Sequence, residues 1–295
     1  MENSGVAKSR PVSASELRKM QEKSWEIYQY FADFCDRHGL LYYACGGCCI
    51  GAVRDGGFVA WDDDIDVFMP RPDYEKLARL WCQDSTNKQY LYVRSHKNMV
   101  TGDLMAKICD ANTTLVTTYQ VDKKMPQGLT MDILPLDGCP PPGSFARKLQ
   151  KLLALVFSLF CAQSVPEKHG GAIALGSKFL LAVIPWPAVR YKIWRWCEKK
   201  MASWDFYASE YTTELASGPK YMQNEYRQKW FAAAISKPFD QSSIKVPIGY
   251  DAYLRMAFGD YLTPPPPQQQ KPAHEVAFLD LDTPYAVYME NKTNT

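Results

Sequence analysis

The chain holds 295 residues, 46% of them hydrophobic, enough for one large core or two small ones. Its net charge of +2 excludes a strongly basic clamp on a nucleic-acid polymer, though not the binding of a single nucleotide. Nine cysteines and no apolar leader point to a reducing cytoplasm rather than a disulfide framework, and the longest apolar runs fall short of the roughly 20 residues of a spanning helix.

Residues 1–12 read as a disordered tail. Ser13-Ala14-Ser15-Glu16 has the form of a capping box and opens a helix whose apolar positions include Leu17, Met20, Ile27, Phe31 and Phe34, ending at His38-Gly39. LLYYAC (40–45) reads as a buried strand, broken by Gly46-Gly47, after which CCIGAVRD forms a short helix. Gly56-Gly57 turns the chain into WDDDIDVFMP. There Ile65, Val67 and Met69 alternate with Asp64, Asp66 and Phe68, the period of a strand, which Pro70 and Pro72 end. An amphipathic helix follows over Asp73–Gln83. Strand-like runs then occupy 90–95, 104–109, 113–118 and 128–136, the last carrying Asp132 between Met131 and Ile133. PLDGCPPPGS (135–144) punctuates the chain.

Beyond it, helix formers with Lys and Arg dominate from about 145 to 215, and TPPPPQQQKP (263–272) is extended. The organisation expected is a core over 13–140, a helical region over 141–215 and a C-terminal segment, 216–295, completing the domain. The order of elements predicts an α/β or α+β core with added helices.

The chemistry concentrates at the aspartates. Residues i and i+2 of a strand project from one face, so Asp64 and Asp66 point together while Ile65 and Val67 enter the core. Two such carboxylates repel, and one takes a proton unless a cation sits between them; hard oxygens suit Mg²⁺ or Mn²⁺. If the strand of Asp132 lies beside them, three acids converge on a site fit for phosphoryl displacement. A lone D-x-D is weak, and an acidic surface turn is the bland reading. Gly46-Gly47 at a helix start allows a phosphate to approach the backbone, or is a plain tight turn. Arg54 reaches an anion or pairs with Asp55 or Asp63. Lys107, among apolar neighbours, wants an anion or an aspartate nearby. Asp62 and Asp63 cap the strand or hold waters, Trp61 packs, and His274 is a lone histidine of doubtful role.

GGCCIGAVRDGGFVAWDDDIDVFMPRPDYEKL resembles the signature block of the LicD family, which includes bacterial phosphocholine transferases and fukutin-like phosphotransferases. LMAKICDANTTL, LTMDILPLDG and VPIGYDAYLRMAFGDYLTPPP resemble further family segments, so the likeness spans about residues 15 to 275. Two departures stand out: Cys48-Cys49-Ile50 where the family has T-L-L, and Val59-Ala60-Trp61 where it has I-P-W. The resemblance implies an α+β fold of the nucleotidyltransferase, DNA polymerase β-like kind, a mixed-sheet core with added helices. It implies transfer of a phosphorylated alcohol, such as phosphocholine, from a CDP-alcohol donor to a hydroxyl of a glycan or lipid-linked sugar, for example of lipopolysaccharide or teichoic acid, releasing CMP. Asp64, Asp66 and Asp132 would hold Mg²⁺ (or Mn²⁺), with Asp132 also accepting the proton of the attacking hydroxyl. Gly46, Gly47, Arg54 and Lys107 would bind the donor's phosphates.

Two other readings stay open. The same site could attach an NMP to a hydroxyl acceptor. Cys45, Cys48 and Cys49 form C-x-x-C-C near His38, an incomplete zinc motif of a non-catalytic protein. Finally, residues 145–200 carry apolar faces fringed by Lys, Arg and Trp, which either pack on the core or make peripheral contact at the inner membrane surface.

Overall fold

The computed structural model describes residues 9–84, 87–118, 120, 121, 123–163, 172–272 and 275–293. His274 lies outside them. Helix α1 (Ala14–Arg37) starts at the expected capping box: Ser13 accepts from the Glu16 N–H at 3.3 Å, and Glu16 accepts from the Ser13 N–H at 2.9 Å. Its apolar stripe, including Ile27, Phe31 and Phe34, is fully buried. The tail expected over 1–12 is tied down in its described part, because Arg10 pairs with Val276 and Val12 is buried.

β1 (Tyr43–Ala44) leads into α2 (Gly46–Ile50), which continues as one π-helical turn over Gly51–Asp55. β2 (Asp66–Pro70) runs straight into α3 (Arg71–Gln83); the strand begins two residues later than the alternation predicts, so Asp64 precedes it. Pro72 sits in the first turn of α3, where a missing N–H costs nothing. β3 (Tyr90–Val93), β4 (Ala106–Asp110), β5 (Thr114–Thr117) and β6 (Thr130–Cys139) follow. Next come α4 (Phe145–Ala162), α5 (Ala172–Val183) and α6 (Pro187–Met201). β7 (Tyr211–Thr213), α7 (Gly218–Tyr221), β8 (Tyr226–Arg227), the hairpin β9 (Ala234–Phe239) and β10 (Ser242–Pro247), α8 (Tyr250–Phe258), β11 (Val276–Asp280) and α9 (Tyr285–Thr293) complete the chain.

The fold is α+β with a mixed sheet. Its strands run in the order β1-β2-β6-β4-β3, with β7 and β8 joined to the far end of β6. β2 and β6 are parallel; β1 with β2, β6 with β4, and β6 with β7 are antiparallel. β6 is longer than the sequence pattern predicts and passes through Pro135 into the punctuated stretch. Pro135 falls in a gap on that flank: β4 pairing has ended at Ile133 and β7 pairing begins only at Asp137. One core joins α1, α3 and the sheet, while a second lies between α4 and α6, around Phe157, Trp194 and Met201.

A buried ionic network ties the two cores. Arg71 on α3 donates bidentately to Asp137 of β6, at 2.6 and 2.8 Å, and reaches Glu198 of α6 at 3.4 Å. Arg94 joins Glu198 at 2.5 Å and Glu75 at 2.9 Å. Although burial disfavours the charge, Arg94 and Arg71 hold the Glu75 carboxyl down at about 2.

Candidate active site

The register of three strands writes out the site. Asp66 on β2 is the partner of Asp132 on β6, and Asp132 is the partner of Lys107 on β4. On the other side the Cys45 N–H donates to the Asp66 carbonyl at 3.0 Å. One row therefore reads Cys45, Asp66, Asp132, Lys107 across four adjacent segments. In-register neighbours on adjacent strands share a face, so the two carboxylates stand side by side. Val67 and Ile133, one step along, are buried.

Lys107 is buried and spans two acids, lying 3.1 Å from Asp132 Oδ1 and 3.5 Å from Asp103 Oδ1. The aspartate alternative for its counter-ion is the one observed. Burial first, and then the Asp64, Asp132 and Asp62 charges, push the Asp66 carboxyl well above the usual range, with Lys107 opposing. Asp64 sits ahead of the strand and shares with Asp132 and Lys107 a small cavity of about 50 Å³.

Among the described residues, the group of three whose carboxylate oxygens all lie within 4.8 Å of one another is Asp62, Asp63 and Asp64, not Asp64, Asp66 and Asp132. Asp63 is buried. The acidic cluster thus extends toward the two residues that strand alternation treats as peripheral, because the chain before β2 turns back on itself: the Asp62 N–H donates to the Val59 carbonyl at 2.9 Å. No cysteine enters such a group among the described residues, and burial raises the Cys45, Cys48 and Cys49 thiols far from the thiolate form. His38 stacks on Phe34 instead. Among the described residues, the zinc reading of C-x-x-C-C therefore finds no site.

Gly46 and Gly47 open α2 beside the row. Gly46 has φ +55°, and its N–H donates to the Tyr253 hydroxyl at 3.1 Å. A Cβ on Gly47 would stand 1.9 Å from Asp62 Oδ2, so glycine is required there to admit a carboxylate. Arg54 is the predicted anion-binding residue that the structure spends elsewhere. Its guanidinium meets Asp55 through two 2.8 Å hydrogen bonds and donates to the Tyr261 carbonyl at 3.2 Å. It also lies 5.9 Å from the Trp61 ring centre.

Above Asp66 opens a cleft of about 320 Å³, walled by Gly46, Gly47, Phe68, Leu134, Glu214 and Tyr253 among others. Glu214 was not singled out by sequence. It is buried, accepts from the Tyr226 hydroxyl, and is pushed by burial up to about 7, against the pull of that bond and of Ser217 and Asn224. Its one sequence signal is an acid lodged in the run Thr212-Thr213-Glu214-Leu215-Ala216, all of it buried.

Residues 39–135, which include this whole row, match a family model described as LicD/FKTN/FKRP, nucleotidyltransferase domain. The chain is also 31% identical over 267 residues to the lipopolysaccharide cholinephosphotransferase LicD of Haemophilus influenzae, an alignment covering 88% of this chain and 96% of that protein. The chain belongs to the LicD family. It is an enzyme of the LicD phosphotransferase type. The LicD departures Cys48 and Cys49 are both buried in the core, and the Cys48 thiol faces the Asp64 carbonyl at 3.4 Å.

Proposed function

We propose that the protein transfers a phosphorylated alcohol from a CDP-activated donor to a hydroxyl of a cell-surface glycan or lipid-linked sugar, with release of CMP, on a nucleotidyltransferase-type core. The observation that carries the reading is the Asp66–Asp132 pair, held in register on parallel strands with the Asp62–Asp64 group beside it. The Haemophilus relative, named for choline phosphate transfer to lipopolysaccharide, supports it.

The donor set fits Mg²⁺ or Mn²⁺: all-oxygen, multiply anionic, and containing an acid that burial and its neighbours drive toward protonation. Asp66, Asp132 and Asp64 would hold the ion, and Asp62 and Asp63 would flank it. When bound, the ion neutralises charge on the pyrophosphate. The residues supply position and proton transfer. Gly46 and Gly47, which line the cleft without side chains, would let a phosphate approach the backbone there. Asp132, fixed by Lys107, takes the proton of the acceptor hydroxyl. The acceptor oxygen forms a bond to the phosphorus bearing the alcohol, and the bridging P–O bond breaks with its electrons leaving on CMP.

A panel of CDP-alcohols with Mg²⁺, scored by CMP release and by the mass of the acceptor product, tests this. A phosphoalcohol on the acceptor is the expected product; an NMP on the acceptor would replace the reading with nucleotidyl transfer.

The acceptor side includes contact of residues 145–200 with an anionic bilayer from its cytoplasmic face. No helix among the described residues is long and apolar enough to cross a membrane. Yet no described side chain of α5 is buried: Leu175 is 72% exposed, Phe179 67%, and Trp186 just beyond it 62%. From 145 to 163 and 172 to 197 the sequence has seven Lys or Arg and no Asp or Glu. Co-sedimentation with anionic and neutral vesicles checks it; equal recovery with both would refute it.

A further inference from the structure

A second cleft, of about 340 Å³, opens between the end of β3 and α6. Val93 on β3 is the partner of Lys107 and shares the face of the reactive row, so Tyr92 beside it projects from the opposite face. Tyr92 lines this cleft with Arg94, His96, Tyr191, Trp194 and Arg195 among others, which places it behind the sheet, apart from Asp66 and Asp132. Its described lining holds two guanidinium groups and an imidazole, and no Asp or Glu. Arg94 is paired with Glu75 and Glu198, and Arg195 with Glu198, but neither carboxylate is part of the lining. Arg195 makes its contact through Nη1, which leaves the rest of its fork for a ligand. His96 Nδ1 accepts from the Asn98 N–H at 3.2 Å, so Nε2 carries the proton and is a donor.

Two further donors find no acceptor. The indole N–H of Trp194, a residue only 2% exposed, and the Tyr92 hydroxyl are shut off from water and donate to nothing. Buried donors are ordinarily paired, so each marks a missing acceptor. Guanidinium, imidazole, indole and phenol donors gathered around one opening call for oxygens that bear negative charge. The cleft is also roomy enough for more than a bare anion, and part of its wall is apolar: Met99, with the Tyr191 and Trp194 rings meeting edge to face at 5.0 Å. We propose that this cleft binds an organic phosphate monoester, with the phosphate held by Arg94, Arg195 and His96 and the organic body against Tyr191 and Met99. Because Arg94 follows β3 and Arg195 belongs to α6, the occupant clamps α6 to the sheet. It is an effector of the joint, not a reactant, and the proposal does not depend on the transferase reading.

The test titrates the full ¹⁵N-labelled chain with phenyl phosphate and with phenol, and follows the indole N–H resonances by NMR. Trp194→Phe assigns the Trp194 resonance, which is expected to shift as phenyl phosphate binds. Phenyl phosphate should bind roughly tenfold more tightly than phenol, and Arg195→Gln should weaken it roughly tenfold. Arg195 is part-exposed and Glu198 keeps Arg94 as a partner, so that variant retains the fold. Asp66→Asn should leave the titration unchanged. Dihexanoyl phosphatidic acid, titrated below its micelle concentration, separates the two sources of such a phosphate: tighter binding than phenyl phosphate assigns a lipid headgroup, weaker binding a soluble ester. A Trp194 resonance that does not move with phenyl phosphate would overturn the proposal. So would phenol binding as tightly, or an unchanged affinity in Arg195→Gln. Loss of the titration in Asp66→Asn would assign the phosphate to the reactive row and overturn it as well.

Discussion

The row of Asp66, Asp132 and Lys107 and the helical excursion α4–α6 break the ordinary rules of burial in opposite directions. At the row, charge is drawn into a sheet whose other face is core. In the excursion, Leu, Phe and Trp are pushed into solvent on a segment rich in Lys and Arg. Folded chains normally bury apolar groups and leave charge outside, so each departure marks a surface the chain does not satisfy by itself. On the proposed function they differ in what would satisfy them: a cation and a phosphate at the first, an apolar phase with an anionic boundary at the second.

The most severe way to break the comparison is Asp66→Asn. Turnover should fall by about a thousandfold or more if the carboxylate acts in the chemistry, measured as CMP release. Thermal unfolding without divalent metal should meanwhile stay level or rise, since a disfavoured buried charge has gone. Loss of activity together with collapse of the fold would make the residue structural instead.

The next largest effect concerns the joint between the regions. Asp137→Ala strands the buried Arg71 guanidinium, and denaturant titration should show a loss of about 3–5 kcal/mol. A loss below about 1 kcal/mol would mean the two regions are held by apolar packing alone.

Glu214 sharpens the contrast within the sheet. Its folded carboxyl keeps a proton up to about 7, whereas its ordinary value is 4.5. Between those values the folded state holds a proton that the unfolded state has released, so stability falls as pH rises through this window and is level above it. Glu214→Gln should remove that slope, a difference of about 3 kcal/mol at pH 8 read from melts at several pH values.

The smallest effect on stability belongs to the helices. Phe179→Glu with Trp186→Glu should change unfolding by less than about 0.5 kcal/mol, because the groups are exposed already, yet abolish recovery with anionic vesicles.

What the sequence disclosed follows from where strand period governs position. Alternation at 65–69 and 131–133 identified Asp66 and Asp132 as acids among buried neighbours, and the parallel register puts them together. Asp64 was misread as a strand residue because a period of two says nothing about where a strand starts; the bend at Val59–Asp62 instead groups Asp64 with Asp62 and Asp63. Arg54 looked available for an anion, but its sequence neighbour Asp55 takes it, an outcome that depends on rotamers. Glu214 stayed hidden because its cleft is assembled from β2, α8 and the segment after β7, which lie far apart in sequence. The sequence pattern ends this strand at Leu136, and only the staggered partners β4 and β7 explain why β6 continues to Cys139.

That continuation has a mechanical corollary. Asp132 and Asp137 sit five residues apart on one strand, the first in the reactive row and the second clamped by Arg71, which also reaches α6. A pull on α6, such as docking would exert, therefore arrives at β6 through a short stiff tether, about 17 Å of extended backbone from the reactive carboxylate. If the proposed function holds, surface attachment and bond transfer share one girder, and neither could be re-engineered without loading the other.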